Sequence, residues 1–159
     1  MDDVLGMTFG LSALESQAGR LNELSDEINK KLAAIQSRIV AMNIGMEFWY
    51  DVPIRRRNAV VTSIGDGKST EIVDLLGLTK EGGQWCLAVK AVKVEKGFYE
   101  GNRDCPYENR YFAGEFDTPI LESSRELRIA ALGIMKDFIS ELALRVKAAN
   151  EVIERKNVF

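Results

Sequence analysis

The sequence predicts an α+β fold in which two long antiparallel heptad helices bracket a small antiparallel β-sheet of about four strands. Three observations carry this expectation. Leu14, Ala18, Leu21, Ile28, Leu32, Ile35, Ile39, Met42 and Met46 follow an alternating four-three spacing, interrupted by one polar position at Ser25. Such spacing lays a narrow apolar stripe along one helix face, which must pack against another helix. Leu132, Met135, Ile139, Leu142, Val146, Ala149 and Ile153 repeat the pattern near the C-terminus. Between the two stretches lie strand-like runs separated by turn dipeptides. One domain over 1–159 is expected, with a helix at 12–46, a β-meander with a long aromatic loop at 47–118, and a helix at 119–157.

The first helix has a start signal in Ser12 and Glu15, which match a capping box. The last helix has the same signal in Ser123 and Glu126, with Pro119 shortly before it. Leu127, Ala131, Ile134 and Phe138 add a second apolar line to its first half, and a stripe that wide is buried against more than one neighbour. That end is expected to receive the sheet.

Four strands are expected at 47–52, 59–64, 71–79 and 84–96. Asp66-Gly67 and Gly82-Gly83 tolerate the positive φ angles of tight hairpins and separate the last three. The last strand is apolar on both faces, with Trp85, Leu87, Val89 and Ala91 on one and Cys86, Ala88, Val92 and Val94 on the other. It is therefore buried on both sides or switches face at a bulge near Lys90. Residues 97–118 read as a long irregular connection whose six aromatic rings give it enough apolar surface to pack over the sheet.

Composition narrows the function classes. A net charge of -3 without a basic segment argues against a general nucleic-acid binder. Histidine is absent, which removes the commonest general base and metal ligand. Cys86 and Cys105 form neither a disulfide framework nor a metal spacing, so a reducing compartment is expected. The acidic start MDDVLGMTFG is unlike a signal peptide, and no apolar run reaches the ~18 residues of a membrane span. The expected location is cytoplasmic.

Motifs of chemistry are sparse. Gly65-Asp66-Gly67-Lys68-Ser69-Thr70 ends like a phosphate-binding P-loop, but Thr62 stands where the motif requires its first glycine, so a plain hairpin turn is expected. Arg55, Arg56 and Arg57 form a basic tripeptide expected in a solvated loop, with an anion-gripping edge as the sharper reading. The connection carrying Tyr99, Arg103, Tyr107, Asn109 and Arg110, followed by Arg125 and Arg128, is the best candidate binding site. Its rings can stack on a base while its arginines hold a phosphate. The competing and favoured reading is structural: Tyr107 and Tyr111 cover the sheet edge, and Arg125 and Arg128 pair with Glu122, Glu126 or loop carboxylates. Cys105, beside Asp104 and between Arg103 and Arg110, is a candidate low-pKa thiol, but it lacks an adjacent base. No catalytic set, metal ligand or cofactor motif is identified.

The first functional expectation is a non-catalytic binding and assembly protein. It oligomerises through its helices and binds a small anionic ligand, such as a nucleotide, at the sheet-loop lobe through Arg55, Arg56, Tyr99, Arg103, Tyr107, Asn109, Arg110, Arg125 and Arg128. The alternative is a coiled-coil adaptor or chaperone-like subunit. Two long helices joined through a β-rich middle form a layout similar to that of prefoldin subunits, although this middle block is longer than the hairpins of that family. An enzyme using carboxylate, lysine or tyrosine chemistry ranks last, since no nucleophile, base and charge stabiliser stand at recognisable spacing.

Overall fold

A computed structural model of the chain describes residues 2–61, 68–99, 103–114 and 116–157. Helix α1 spans Asp2–Ala41, followed by strands β1 (Phe48–Trp49), β2 (Arg55–Val61), β3 (Ser69–Glu81), β4 (Gln84–Phe98), β5 (Pro106–Phe112) and β6 (Thr118–Pro119). A 3-10 turn at Ile120–Glu122 then leads into helix α2, Arg125–Lys156. All strand pairings are antiparallel, in the order β1-β3-β4-β5, with β2 also beside β3 and β6 also beside β4.

The chain begins α1 ten residues before the expected capping box, so Ser12 and Glu15 lie inside the helix. Val4, Met7 and Leu11 extend the four-three line upstream and keep the helix going. At the other end Asn43 (φ 51°) and Gly45 (φ 68°) turn the chain out, which leaves Met46 beyond the helix. In α2 the cap is Ser124, whose Oγ accepts from the Leu127 amide, while the expected Ser123 instead donates its hydroxyl to the Ile120 carbonyl at 2.6 Å.

The helices run parallel, which corrects the antiparallel expectation. At the start of α2, Arg125 Nη2 donates to Asn22 Oδ1 of α1 at 3.0 Å. Further along, Leu142 and Val146 of α2 share a cleft with Ile39 and Met42 at the end of α1. Both helices therefore advance together. The sheet makes this possible, because β4 carries the chain back along α1. Near its beginning the Leu87 amide donates to Gln36 Oε1 of α1. Four residues later Ala91 faces Asp74, whose partner Arg55 reaches Glu126 in the first turn of α2.

The β3-β4 hairpin is the backbone of the sheet, in unbroken register from Ser69↔Lys96 to Glu81↔Gln84, closed by Gly82 (φ 56°) and Gly83 (φ 82°). Burial on both faces, without a bulge at Lys90, resolves the two-sided pattern of β4. Leu76, Leu78, Leu87 and Val89 join Leu32, Ile39, Phe48, Ile120, Met135 and Phe138 in the main core between sheet and helices. Val73, Leu75, Val92 and Val94 form a second buried cluster on the opposite, outer face, with Trp49 packed against it. The irregularity falls in β2, between Arg57 and Val60.

Two further expectations change. The arginine tripeptide opens β2 rather than lying in a loop, and the connection expected to be irregular contains β5 paired to β4 from Val92↔Phe112 to Phe98↔Pro106. The Asp66-Gly67 turn and the front of the P-loop-like segment lie outside the described residues; Ser69 and Thr70 enter a strand, whereas a P-loop requires a helix there. No helix among the described residues is long and apolar enough to cross a membrane.

Candidate functional site

The residues expected to bind an anion are placed in three separate neighbourhoods. Arg55 and Arg57 clamp the carboxylate of Asp74, through Arg55 Nε to Oδ2 at 2.7 Å and Arg57 Nη2 to Oδ1 at 2.8 Å. Asp74 is 2% exposed, so both guanidinium groups are engaged in neutralising a buried charge. Arg55 also reaches Glu126 at 3.4 Å, and Arg56 pairs with Glu71 at 2.6 Å. Close by, Arg128 Nη1 donates to the carbonyls of Ser123 at 2.9 Å and Leu121 at 3.4 Å, locking the lead-in to α2.

The second neighbourhood is the β4-β5 turn. Tyr99 and Tyr107 have ring centroids 5.0 Å apart, and Tyr107 lies on Gly97, where any added Cβ would enter its ring. Arg103 stands exposed in the turn. The third is β5 itself, where Asn109 is exposed and Arg110 Nε donates to Glu108 Oε1 at 2.9 Å. Of the nine candidates, only Arg110 lines a groove on the outer sheet face, with Trp49, Leu75, Lys90, Tyr111 and Phe112.

That groove is small, at about 220 Å³, and its geometry is built around Trp49. Strand β1 sets Trp49 opposite Gly77, and the indole lies flat on the glycine because nothing projects there. Lys90 Nζ stands 4.2 Å from the ring centroid, a cation-π contact. The indole N-H donates to Glu47 Oε1 at 2.7 Å, and Thr79 donates its hydroxyl to Glu47 Oε2 at 3.1 Å. Partial burial raises the Asp117 carboxyl above its ordinary range; Lys90 lowers it, while Glu81 and Glu47 push it further up. Burial also raises the Cys86 thiol, helped by Glu81, Glu122 and Asp117, so this cysteine stays protonated and unreactive at neutral pH. The described residues contain no metal-binding group of three or more acidic or cysteine side chains.

A feature outside the expected site is larger than any of these. Residues 3–24 of α1 are exposed on every side, because α2 begins only beside Asn22. This arm is about 30 Å long at ~1.5 Å per residue. It carries Val4, Met7, Leu11, Leu14, Ala18 and Leu21 in three-four alternation, with Leu14 63% exposed. The line continues in register into Ser25, Ile28, Leu32, Ile35 and Ile39, the positions that the protein's own core uses. The signal was present in the sequence; the cap-like Ser12 and Glu15 hid it.

Comparison with protein-family models, with curated proteins and with solved structures gives no match to this chain.

Proposed function

We propose that the protein is a non-catalytic assembly module that joins copies of itself through its helices, with the sheet lobe displayed on the assembly as the binding part. The observation that carries the reading is the exposed arm of α1. A lone helix of this length is marginal in water unless an apolar face is packed, and this one keeps a heptad-spaced face open. The test is native mass spectrometry of the full chain at micromolar concentration. A discrete oligomer is expected; a monomer at every concentration overturns the reading.

In the lobe, a small anionic ligand such as a nucleotide is proposed to lie across the outer groove. Support comes from Lys90 and Arg110 flanking the rings of Trp49 and Phe112. At about 220 Å³ the groove is below the size of pockets that enclose drug-sized ligands, so only part of a nucleotide would be covered. Calorimetric titration with nucleotides and inorganic phosphate tests this half, and absence of heat removes it. The adaptor alternative is favoured by one feature, the cleft of about 620 Å³ between Ile39, Met42, Leu142 and Val146, which is mainly apolar. The parallel helices remove the hairpin plan on which the likeness to prefoldin rested.

A further inference from the structure

The geometry points to a specific partner for the arm: the arm of a second copy of this chain, running antiparallel, in a closed two-fold dimer. This inference rests on the assembly reading above and adds the segment, the orientation and the register.

Orientation follows from what occupies the seam. From Asn22 onward α2 lies alongside α1, parallel to it, on the line continued by Ile28, Leu32 and Ile35. A parallel partner helix could follow the arm only as far as Leu21, because its continuation would enter the space that α2 fills. An antiparallel partner lies over residues 4–21 without that conflict, because its folded body begins beyond the far tip of the arm.

Length and register agree. The open seam runs from Val4 to Leu21 and matches itself when reversed, with Val4 facing Leu21 of the partner subunit, Met7 facing Ala18 of the partner subunit, and Leu11 facing Leu14 of the partner subunit. Each residue contact is made twice, as a two-fold interface requires, and the seam from Val4 to Leu21 is covered on both chains. Flanking positions carry little charge: Thr8, Gly10, Gln17 and Asn22 are neutral, and Glu15 faces Thr8 of the partner subunit. No like charges meet across the seam.

Charge complements the ends. The reversed register sets Asp3 of the partner subunit level with Asn22, on the flank of the seam that carries Leu24. The acidic tip of the partner arm then lies at the level where α2 begins, facing the positive end of its dipole. A parallel pairing would instead gather the acidic tips of both chains together.

Disulfide trapping in the full-length protein tests the proposal, with Cys86→Ala and Cys105→Ser as background. Chains carrying Val4→Cys are mixed with chains carrying Leu21→Cys and oxidised. The expected result is a crosslinked heterodimer from the mixture and little crosslinking of either variant alone. Self-crosslinking of the Val4→Cys chain shows parallel pairing and overturns the orientation. In native mass spectrometry Leu11→Glu with Leu14→Glu is expected to convert the dimer to a folded monomer. If the dimer persists unchanged, assembly uses another surface and the arm inference fails while the assembly reading stands. If the parent chain is monomeric and its uncharged run Val4–Leu14 instead takes it onto anionic lipid vesicles, both fall.

Discussion

Asp74 has two cations committed to it on one sheet face, and this asymmetry makes its energetics testable. Replacing Asp74 with Ala leaves two arginines that are partly exposed and can turn to water, at a cost of roughly 1–3 kcal/mol. Replacing both Arg55 and Arg57 with Met strands a carboxylate that is 2% exposed, and the cost should rise to about 3–5 kcal/mol. Chemical denaturation of the two variants is expected to give that order. Asp117 supplies the pH-dependent case. Its folded-state carboxyl is raised, so the folded protein holds that proton more tightly than the unfolded chain does. Stability therefore declines as pH rises from the ordinary carboxylate range through the raised value. Asp117→Asn should melt higher than the parent at pH 7 and lose that advantage at pH 3. The anion-binding expectation for Arg55 and Arg56 was legible only as charge. The partners of the tripeptide, Asp74 and Glu71, lie on the neighbouring strand and become visible only through register.

Elements differ in how plainly the chain announces them. The β3-β4 hairpin was readable because two glycines close it and β-branched or leucine residues fill it. Strand β5 was not, since Pro106, Glu108, Asn109 and Arg110 are chosen for an exposed edge and lack the alternation of a buried strand. Strand β1 is two residues long and is held by Trp49 lying on Gly77. Gly77→Ala should lift the indole and break the Lys90 contact, costing roughly 1–3 kcal/mol and shifting tryptophan emission to longer wavelength. For α1 the two halves should respond oppositely: Leu32→Ala is expected to cost about 2–5 kcal/mol, because Leu32 is fully buried in the main core. Amides of residues 5–20 should exchange freely at nanomolar concentration and become protected at micromolar concentration, as read by hydrogen-exchange mass spectrometry.

At the scale of the molecule, apolar spacing specified that two helices pack with a sheet, but spacing alone has no direction. Both polarities satisfy the same stripe, and the deciding information lies in how far the sheet carries the chain back. Phe138 is the point where these parts meet, fully buried between α2 and strand β1, with Phe48 at 5.4 Å between centroids. Phe138→Ala should therefore cost about 3–5 kcal/mol and loosen helix and sheet together, seen as one cooperative transition at lower denaturant. Parallel helices also dictate the order of events as the chain acquires its structure. The contact between Asn22 and Arg125 spans 103 residues, whereas Glu81 and Gln84 need only a two-residue turn. Chains rich in such distant pairings cross their barrier slowly, because loop closure precedes any reward from the contact. On the ribosome α1 emerges well before α2, and Leu32 and Ile39, though they also pack on the sheet, are not fully covered until α2 is made. Substitutions in the β3-β4 turn should accordingly slow refolding, while substitutions along α2 should mainly speed unfolding.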